Sequence, residues 1–333
     1  MESTLPETFK AFLSQGLGNP PQIESLPLPK PGQNQVIVKI EYAPLNPSDI
    51  AAMHGIHKGG KVDAKFPIGN EGCGTVVAIG ENLLVQHKVG DRVHVIGPGT
   101  YAQYLVATSQ NCFPIQGDLS FEQAASHLVN PGTAYYMAKL CEKGGHKAAI
   151  HTAGSSALGR MLIRYFKQKG IKLINIVRRY DYNEELKKEG ADYILNSQDP
   201  DFDAKLKEIA VKENATISFD AISGDFPSRL ITAQPPGSIC YVYGALSGQR
   251  EVKSLSILEL FQGKTVSGLY LTNYIDELTK SGEIVKFFQE IHSLLGTTFR
   301  SEVHKVFALD DIKDALAYYK DNSSKGKILL KPN

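Results

Sequence analysis

The chain has 333 residues, 42% of them hydrophobic, and its 36 basic and 35 acidic side chains leave a net charge of +1. That length suggests about two domains, each with apolar content for a real core. The balanced charge argues against a nucleic-acid footprint or polybasic membrane patch, and no apolar run reaches the ~18 residues that membrane insertion as a helix requires.

The opening Met1-Glu-Ser-Thr-Leu-Pro-Glu7 is acidic and short of the apolar length of a secretory signal. Cys73, Cys112, Cys141 and Cys240 are far apart and form no Cys-x-x-Cys pair, so reduced thiols in an intracellular protein are the simplest reading. The expected location is cytoplasmic, or the mitochondrial matrix if a transit peptide has been removed.

Residues 1–123 read as β-rich. Gln35–Tyr42 alternates as a half-buried strand, and Cys73–Gly80, Val89–Ile96 and Ala102–Ala107 follow as further strands. Turn residues at Pro31-Gly32, Gly90-Asp91 and Gly97-Pro98-Gly99 punctuate them, which suggests a barrel-like β domain. Ser120, with Gln123 three residues on, opens a helix through a capping box.

Helices and strands then alternate. Lys147–His151 is an apolar run, Gly154-Ser-Ser-Ala-Leu-Gly159 a turn, the segment to Lys169 amphipathic, and Ile171–Val177 a second apolar run ending in Arg178-Arg179. This is one βαβ unit. Gly154, Ser156 and Gly159 stand where a dinucleotide fingerprint has its glycines, with Gly154 expected to permit the tight turn and Gly159 close helix–strand packing. A helix start near Ser156, with Ser155, Ala157 and Leu158 beside it, would offer backbone N–H groups to a pyrophosphate. An NAD site has an acid ~20 residues after the glycines. Here Arg178 and Arg179 occupy that place, and two guanidinium groups suit a 2′-phosphate, so the expected cofactor is NADPH.

Strands are expected at 193–195, 216–220, 238–243 and 265–270, with helices at 183–188, 204–211 and 226–233 between them. The six strands make an α/β fold with a doubly wound parallel sheet, its ligand crevice at the carboxyl ends. A helix near 277–295, a strand at 303–307, a helix from Asp310 to Tyr319 with Asp310 as N-cap, and a strand at 327–330 complete the chain. The domains are therefore expected as 1–123 with 272–333, and 124–271.

This order resembles the medium-chain dehydrogenase/reductase superfamily over nearly the whole chain. Ala43–Ile50, Pro67–Gly74, Val89–Val93, Gly99–Tyr104, Asn130–Tyr135, the glycine turn, Gly190–Asp192 and Gly326–Ile328 carry the resemblance. It implies a Rossmann cofactor domain plus a GroES-like β-barrel-type catalytic domain. The chain is most similar to the zinc-free branch, quinone oxidoreductases and mitochondrial-type 2-enoyl thioester reductases, and Ile174–Arg178 is especially like the latter. Zinc-dependent relatives have a Cys and then a His where this chain has Leu45-Asn46-Pro47 and Asn70, so no metal is expected.

The resemblance implies NADPH-dependent, zinc-independent reduction of a quinone or activated carbon–carbon double bond. A trans-2-enoyl thioester reductase of fatty-acid synthesis and a non-catalytic NADPH-binding subunit are the alternatives. It places Asn46 beside the nicotinamide and substrate. Enoyl thioester reductases carry a Tyr where this chain has Gly55-Ile56-His57, and no Tyr stands between Tyr42 and Tyr101. His57 is therefore the candidate proton donor, with His54 beside it. Thr133, Tyr243, Gly244, Leu269, Tyr270 and Lys327 join the cofactor candidates. Asp49 and Glu71 read as structural acids, and Tyr101 and His127 as pocket-wall candidates. The expected partners are a small-molecule substrate and a second copy of the chain in a homodimer, since relatives pair sheet edges such as the one after Val252–Phe261 across a two-fold axis.

Overall fold

The computed structural model describes residues 5–16, 18–53 and 65–333. Chain contacts divide the protein into two units, Met1–Val129 with His292–Asn333, and Asn130–Ile291. Both boundaries lie later than the 123/124 and 271/272 divisions read from the sequence.

The first unit opens with β1 (Thr8–Ser14) and β2 (Gln22–Pro27), an antiparallel pair. Next come β3 (Gln35–Pro44), α1 (Pro47–Met53), β4 (Phe66–Pro67), β5 (Glu71–Ile79), β6 (Arg92–Ile96), β7 (Tyr104–Thr108), β8 (Cys112–Pro114) and α2 (Phe121–Ala124). The capping box at α2 forms as expected, Ser120 accepting from the Gln123 N–H while the Gln123 side chain accepts from the Ser120 N–H. β4 pairs with β1 to complete a three-stranded sheet. In β3 the half-buried alternation gives way to a run in which Val36, Ile37 and Val38 are each 0% exposed. β3 is an interior strand, paired with β5 and β7 along its two edges, and Val36, Val38 and Ile40 lie in the core of the unit.

The second unit begins in α3 (Val129–Gly144) and continues with β9 (Ala148–His151), α4 (Ala157–Lys169), β10 (Lys172–Val177), α5 (Asn183–Glu189), β11 (Tyr193–Asn196), α6 (Phe202–Lys212), β12 (Ile217–Asp220), α7 (Phe226–Ala233), β13 (Ile239–Val242), α8 (Ile257–Phe261) and β14 (Thr265–Gly268). The six strands lie parallel in the order β11-β10-β9-β12-β13-β14. Reversal of order at β9 puts the switch point where the glycine turn leaves the sheet. Ile150, Ile174, Ile176 and Cys240 pack with α6 and α7 residues Phe202, Leu206 and Leu230 in the core.

The single helix expected at 277–295 is two, α9 (Leu271–Ser281) and α10 (Ile284–Ser293). Gly282, at φ 77°, takes the left-handed turn that ends α9. After α10 the chain forms β15 (Val303–Ala308), α11 (Ile312–Asn322) and β16 (Lys327–Lys331). Asp310 does not cap α11: Asp311 holds the N-cap position, and the Asp310 carboxylate pairs with Lys10 at 2.7 Å. β16 pairs with β3, so the tail closes the seven-stranded sheet of the first unit.

Candidate active site

In the second unit the turn after β9 uses its residues differently from the expectation. The left-handed residue is Ala153, at φ 59°, and not Gly154. Gly154 is needed for space: a Cβ there would lie 2.9 Å from the Asn175 Cβ. A Cβ on Gly159 would lie 2.3 Å from the Gly154 carbonyl oxygen, so the turn folds back on the helix start. Ser156 is the N-cap of α4, its hydroxyl accepting the Gly159 N–H at 3.1 Å. The first-turn N–H groups of Ala157 and Leu158 have no partner within the helix, and Ser155 lies in the same turn. Within Gly154–Ser156 no side chain is larger than serine, which fits the close approach of a pyrophosphate.

Arg178 and Arg179 follow β10 and are both exposed. Arg179 reaches Asp181 at 3.3 Å with over half of its side chain in solvent. Arg178 has no hydrogen bond or ion pair among the described residues. Such guanidinium groups are available to a ligand phosphate.

The ends of β9 and β12 carry polar groups that the sequence reading missed. The His151 Nε2 lies 2.7 Å from the Tyr243 hydroxyl. Burial pushes the His151 imidazole down to about 3, so it is neutral. Thr152 donates to Asp220 at 3.0 Å, and Asp220 accepts the Ser223 N–H at 2.6 Å. Burial raises the Asp220 carboxyl above the usual range. A polar residue closing an otherwise apolar strand, as His151 does, was the available signal. Gly244 follows Tyr243, and a Cβ on it would meet the Ala221 carbonyl oxygen at 2.8 Å. Thr133 is buried in the first part of α3. Leu269 and Tyr270 lie just beyond the end of β14: Leu269 is buried and bonded to the Val242 carbonyl, whereas Tyr270 is 42% exposed at the N-cap of α9.

In the first unit Asn46, Asp49, Glu71 and Lys327 are all buried and linked. The Asn46 side chain donates to Glu71 Oε1 at 2.8 Å and accepts from Lys327 Nζ at 2.5 Å. The other Glu71 oxygen accepts the N–H groups of Leu128 and Val129 at 2.7 and 3.2 Å. Asp49 accepts from the Asn46 N–H at 3.1 Å, the Tyr101 hydroxyl at 2.8 Å and the Asn70 amide at 2.5 Å. Burial pushes the Asp49 carboxyl up to about 7, against the bond from Tyr101. Burial also lowers the Lys327 ammonium below the ordinary lysine range, while Glu71 and Asp49 oppose that shift.

Tyr101 and His127 are fully buried and serve this unit's interior. His127 bonds His292 at 3.1 Å and the Val95 carbonyl at 3.0 Å, with the ring of His94 against both imidazoles. His54 and His57 lie outside the described residues.

Residues 32–117 match the alcohol dehydrogenase GroES-like domain, and residues 157–286 match the zinc-binding dehydrogenase family. The mitochondrial enoyl-[acyl-carrier-protein] reductase of Caenorhabditis elegans is 32% identical over 298 residues, 85% of this chain and 83% of the relative. A Mesorhizobium loti protein provisionally named an NADPH:quinone reductase is 30% identical with a TM-score of 0.85, covering 99% of this chain and 100% of that one. Escherichia coli quinone oxidoreductase, solved in complex with NADPH, shares the fold at a TM-score of 0.83 and 23% identity, over 97% and 100% of the two chains.

A GroES-like unit and a six-stranded parallel sheet with a phosphate-type turn define an oxidoreductase. The chain belongs to the medium-chain dehydrogenase/reductase family, in the branch of mitochondrial enoyl thioester reductases and quinone oxidoreductases.

Proposed function

We propose that the chain is an NADPH-dependent, zinc-independent reductase of an activated carbon–carbon double bond, with a 2-enoyl thioester as the leading acceptor class. The observation that carries the NADPH dependence is the exposed Arg178-Arg179 pair in register with the glycine turn that opens α4, and the acceptor class is supported by the similarity to a mitochondrial enoyl-[acyl-carrier-protein] reductase. When bound, NADPH would supply the hydride for the β-carbon of the acceptor, becoming NADP⁺. The alkene electron pair then moves onto the carbonyl oxygen, and a proton at the α-carbon completes the reduction.

The residues divide these tasks. The turn Gly154–Gly159 takes the pyrophosphate and the two arginines take the 2′-phosphate. Thr133, Tyr243, Gly244, Leu269 and Tyr270 complete the cofactor set. Asn46 donates a hydrogen bond to the developing oxyanion. His57 supplies the proton, since no Tyr stands between Tyr42 and Tyr101. A quinone is the second acceptor class, favoured by that same missing Tyr, because solvent can protonate quinol oxygens. The protein works as a homodimer: β14 is the outer strand of its sheet, and α8 beside it leaves Ile257, Leu258 and Phe261 61–78% exposed. Its place is the mitochondrial matrix or the cytoplasm, read by fractionation.

The test is NADPH consumption with a crotonyl thioester and with a quinone, before and after a chelator. Acceptor-dependent oxidation unaffected by chelation is expected. Tight NADPH binding without oxidation by either acceptor would leave a non-catalytic NADPH-binding subunit. A monomer by light scattering would reject the dimer.

A further inference from the structure

The Asn46 amide has one possible orientation. Its carbonyl faces the Lys327 ammonium at 2.5 Å and its NH₂ faces a Glu71 carboxylate oxygen at 2.8 Å. Flipping the amide would set donor against donor and acceptor against acceptor. One N–H is spent on Glu71, and the second has no partner among the described residues.

The backbone fixes this meeting. β16 and β3 pair antiparallel with Leu329 opposite Pro44 and Leu330 opposite Ala43. The same register carried two residues further sets Lys327 opposite Asn46, and the Leu45 N–H bonds the Ile328 carbonyl at 2.9 Å. The two hydrogen bonds of the Lys327 ammonium both end on this segment, at the Asn46 side chain and at the Leu45 carbonyl, 3.3 Å away. A buried ammonium so placed fixes the amide and draws charge from it, which makes the remaining N–H a stronger donor.

We propose that Lys327 is a positioning residue, which acts through Asn46 by holding and polarising its amide toward the oxygen of the acceptor. This rests on the reading of Asn46 as the oxyanion donor, and it separates Lys327 from the residues that contact cofactor.

The experiment is a double-mutant cycle of Lys327→Met and Asn46→Ala, with NADPH Kd and kcat measured for every variant. Lys327→Met should lower kcat by about ten- to a hundredfold, less than the ~10²–10³ of losing an oxyanion donor outright, with NADPH Kd unchanged. In the Asn46→Ala background the same substitution should cost nothing further. Lys327→Gln keeps a neutral donor and should recover part of the loss; it also serves if the methionine variant does not fold. A weakened NADPH Kd in Lys327→Gln or Lys327→Met, or an undiminished loss in the Asn46→Ala background, would overturn the inference. If the wild type reduces no acceptor, the function reading falls by itself. The inference is then read from the Asn46 side-chain amide resonance, assigned by its loss in Asn46→Ala: a shift in Lys327→Gln supports it, and an unmoved resonance rejects it.

Discussion

The charged candidate residues of the two units are held in opposite ways. The first buries Lys327, Asp49 and Glu71 and spends their bonds on Asn46, Tyr101 and the backbone. The second leaves Arg178 and Arg179 in solvent at the end of β10. Buried charges are expensive to strand, so they lock geometry. Exposed charges contribute little to folding and stay free to meet a ligand. On the proposed function, the first unit would hold a donor still and the second would receive an anion.

Asn46→Ala should break the first half of that comparison most strongly. Turnover should fall ~10²–10³-fold, about 2.7–4 kcal/mol, with NADPH affinity retained, as steady-state kinetics and fluorescence titration would report. Equal losses in both would show that Asn46 belongs to the cofactor site. Arg178→Ala is the counterpart. It should weaken NADPH by about 1.5–3 kcal/mol by calorimetry, leave NADH unaffected, and change the melting temperature little.

Gly159→Ala sharpens the comparison through the backbone. Its Cβ would meet the Gly154 carbonyl oxygen at 2.3 Å, so the turn must open. A loss of about 1–3 kcal/mol in denaturant unfolding is expected, together with weaker binding of both NADPH and NADH. That shared loss differs from the selective loss at Arg178.

The last effect is in pH and is read on stability alone. Burial holds His94 and His127 down to about 2 and about 4, and it lowers His292 further. An unfolded histidine takes its proton near 6.5, so between pH 6.5 and 4 the unfolded chain binds protons that the folded chain does not. Stability then falls with pH, by up to about 1.4 kcal/mol per unit for each histidine. Asp49 has the opposite sign: raised to about 7, it gains a proton in the folded chain first and favours folding as pH falls from 7 toward 4. Three histidines outweigh it in the first unit. In the second, His151 and the partly buried His146 stand against Asp220, which is also raised. Hydrogen exchange at pH 5 should expose β5 and β6 before β9 and β12, and the reverse order would refute this assignment.

The second unit was the more legible in sequence, because its chemistry is local. A glycine turn, a helix start and a strand-end arginine pair lie within one βαβ unit, and hydrophobic periodicity marks each. The missed parts there, His151 with Tyr243 and Thr152 with Asp220, join residues 92 and 68 positions apart. In the first unit Asn46 stood out by resemblance, yet its partner Lys327 is 281 residues away and could be assigned only to the cofactor. β1 and β2 went unread because their faces are mixed, with Glu24, Ser25 and Lys10 interrupting any clean alternation. The break at Gly282 was hidden by apolar spacing that continues into α10.

The central claim is that donor and cofactor tasks are divided between the units, and a crossed pair of measurements tests it most directly. NADPH Kd and kcat at saturating NADPH would be determined side by side for Asn46→Ala and Arg178→Ala. The division predicts that Asn46→Ala loses kcat and keeps Kd, and that Arg178→Ala loses Kd and keeps kcat. Both variants losing the same quantity would contradict it.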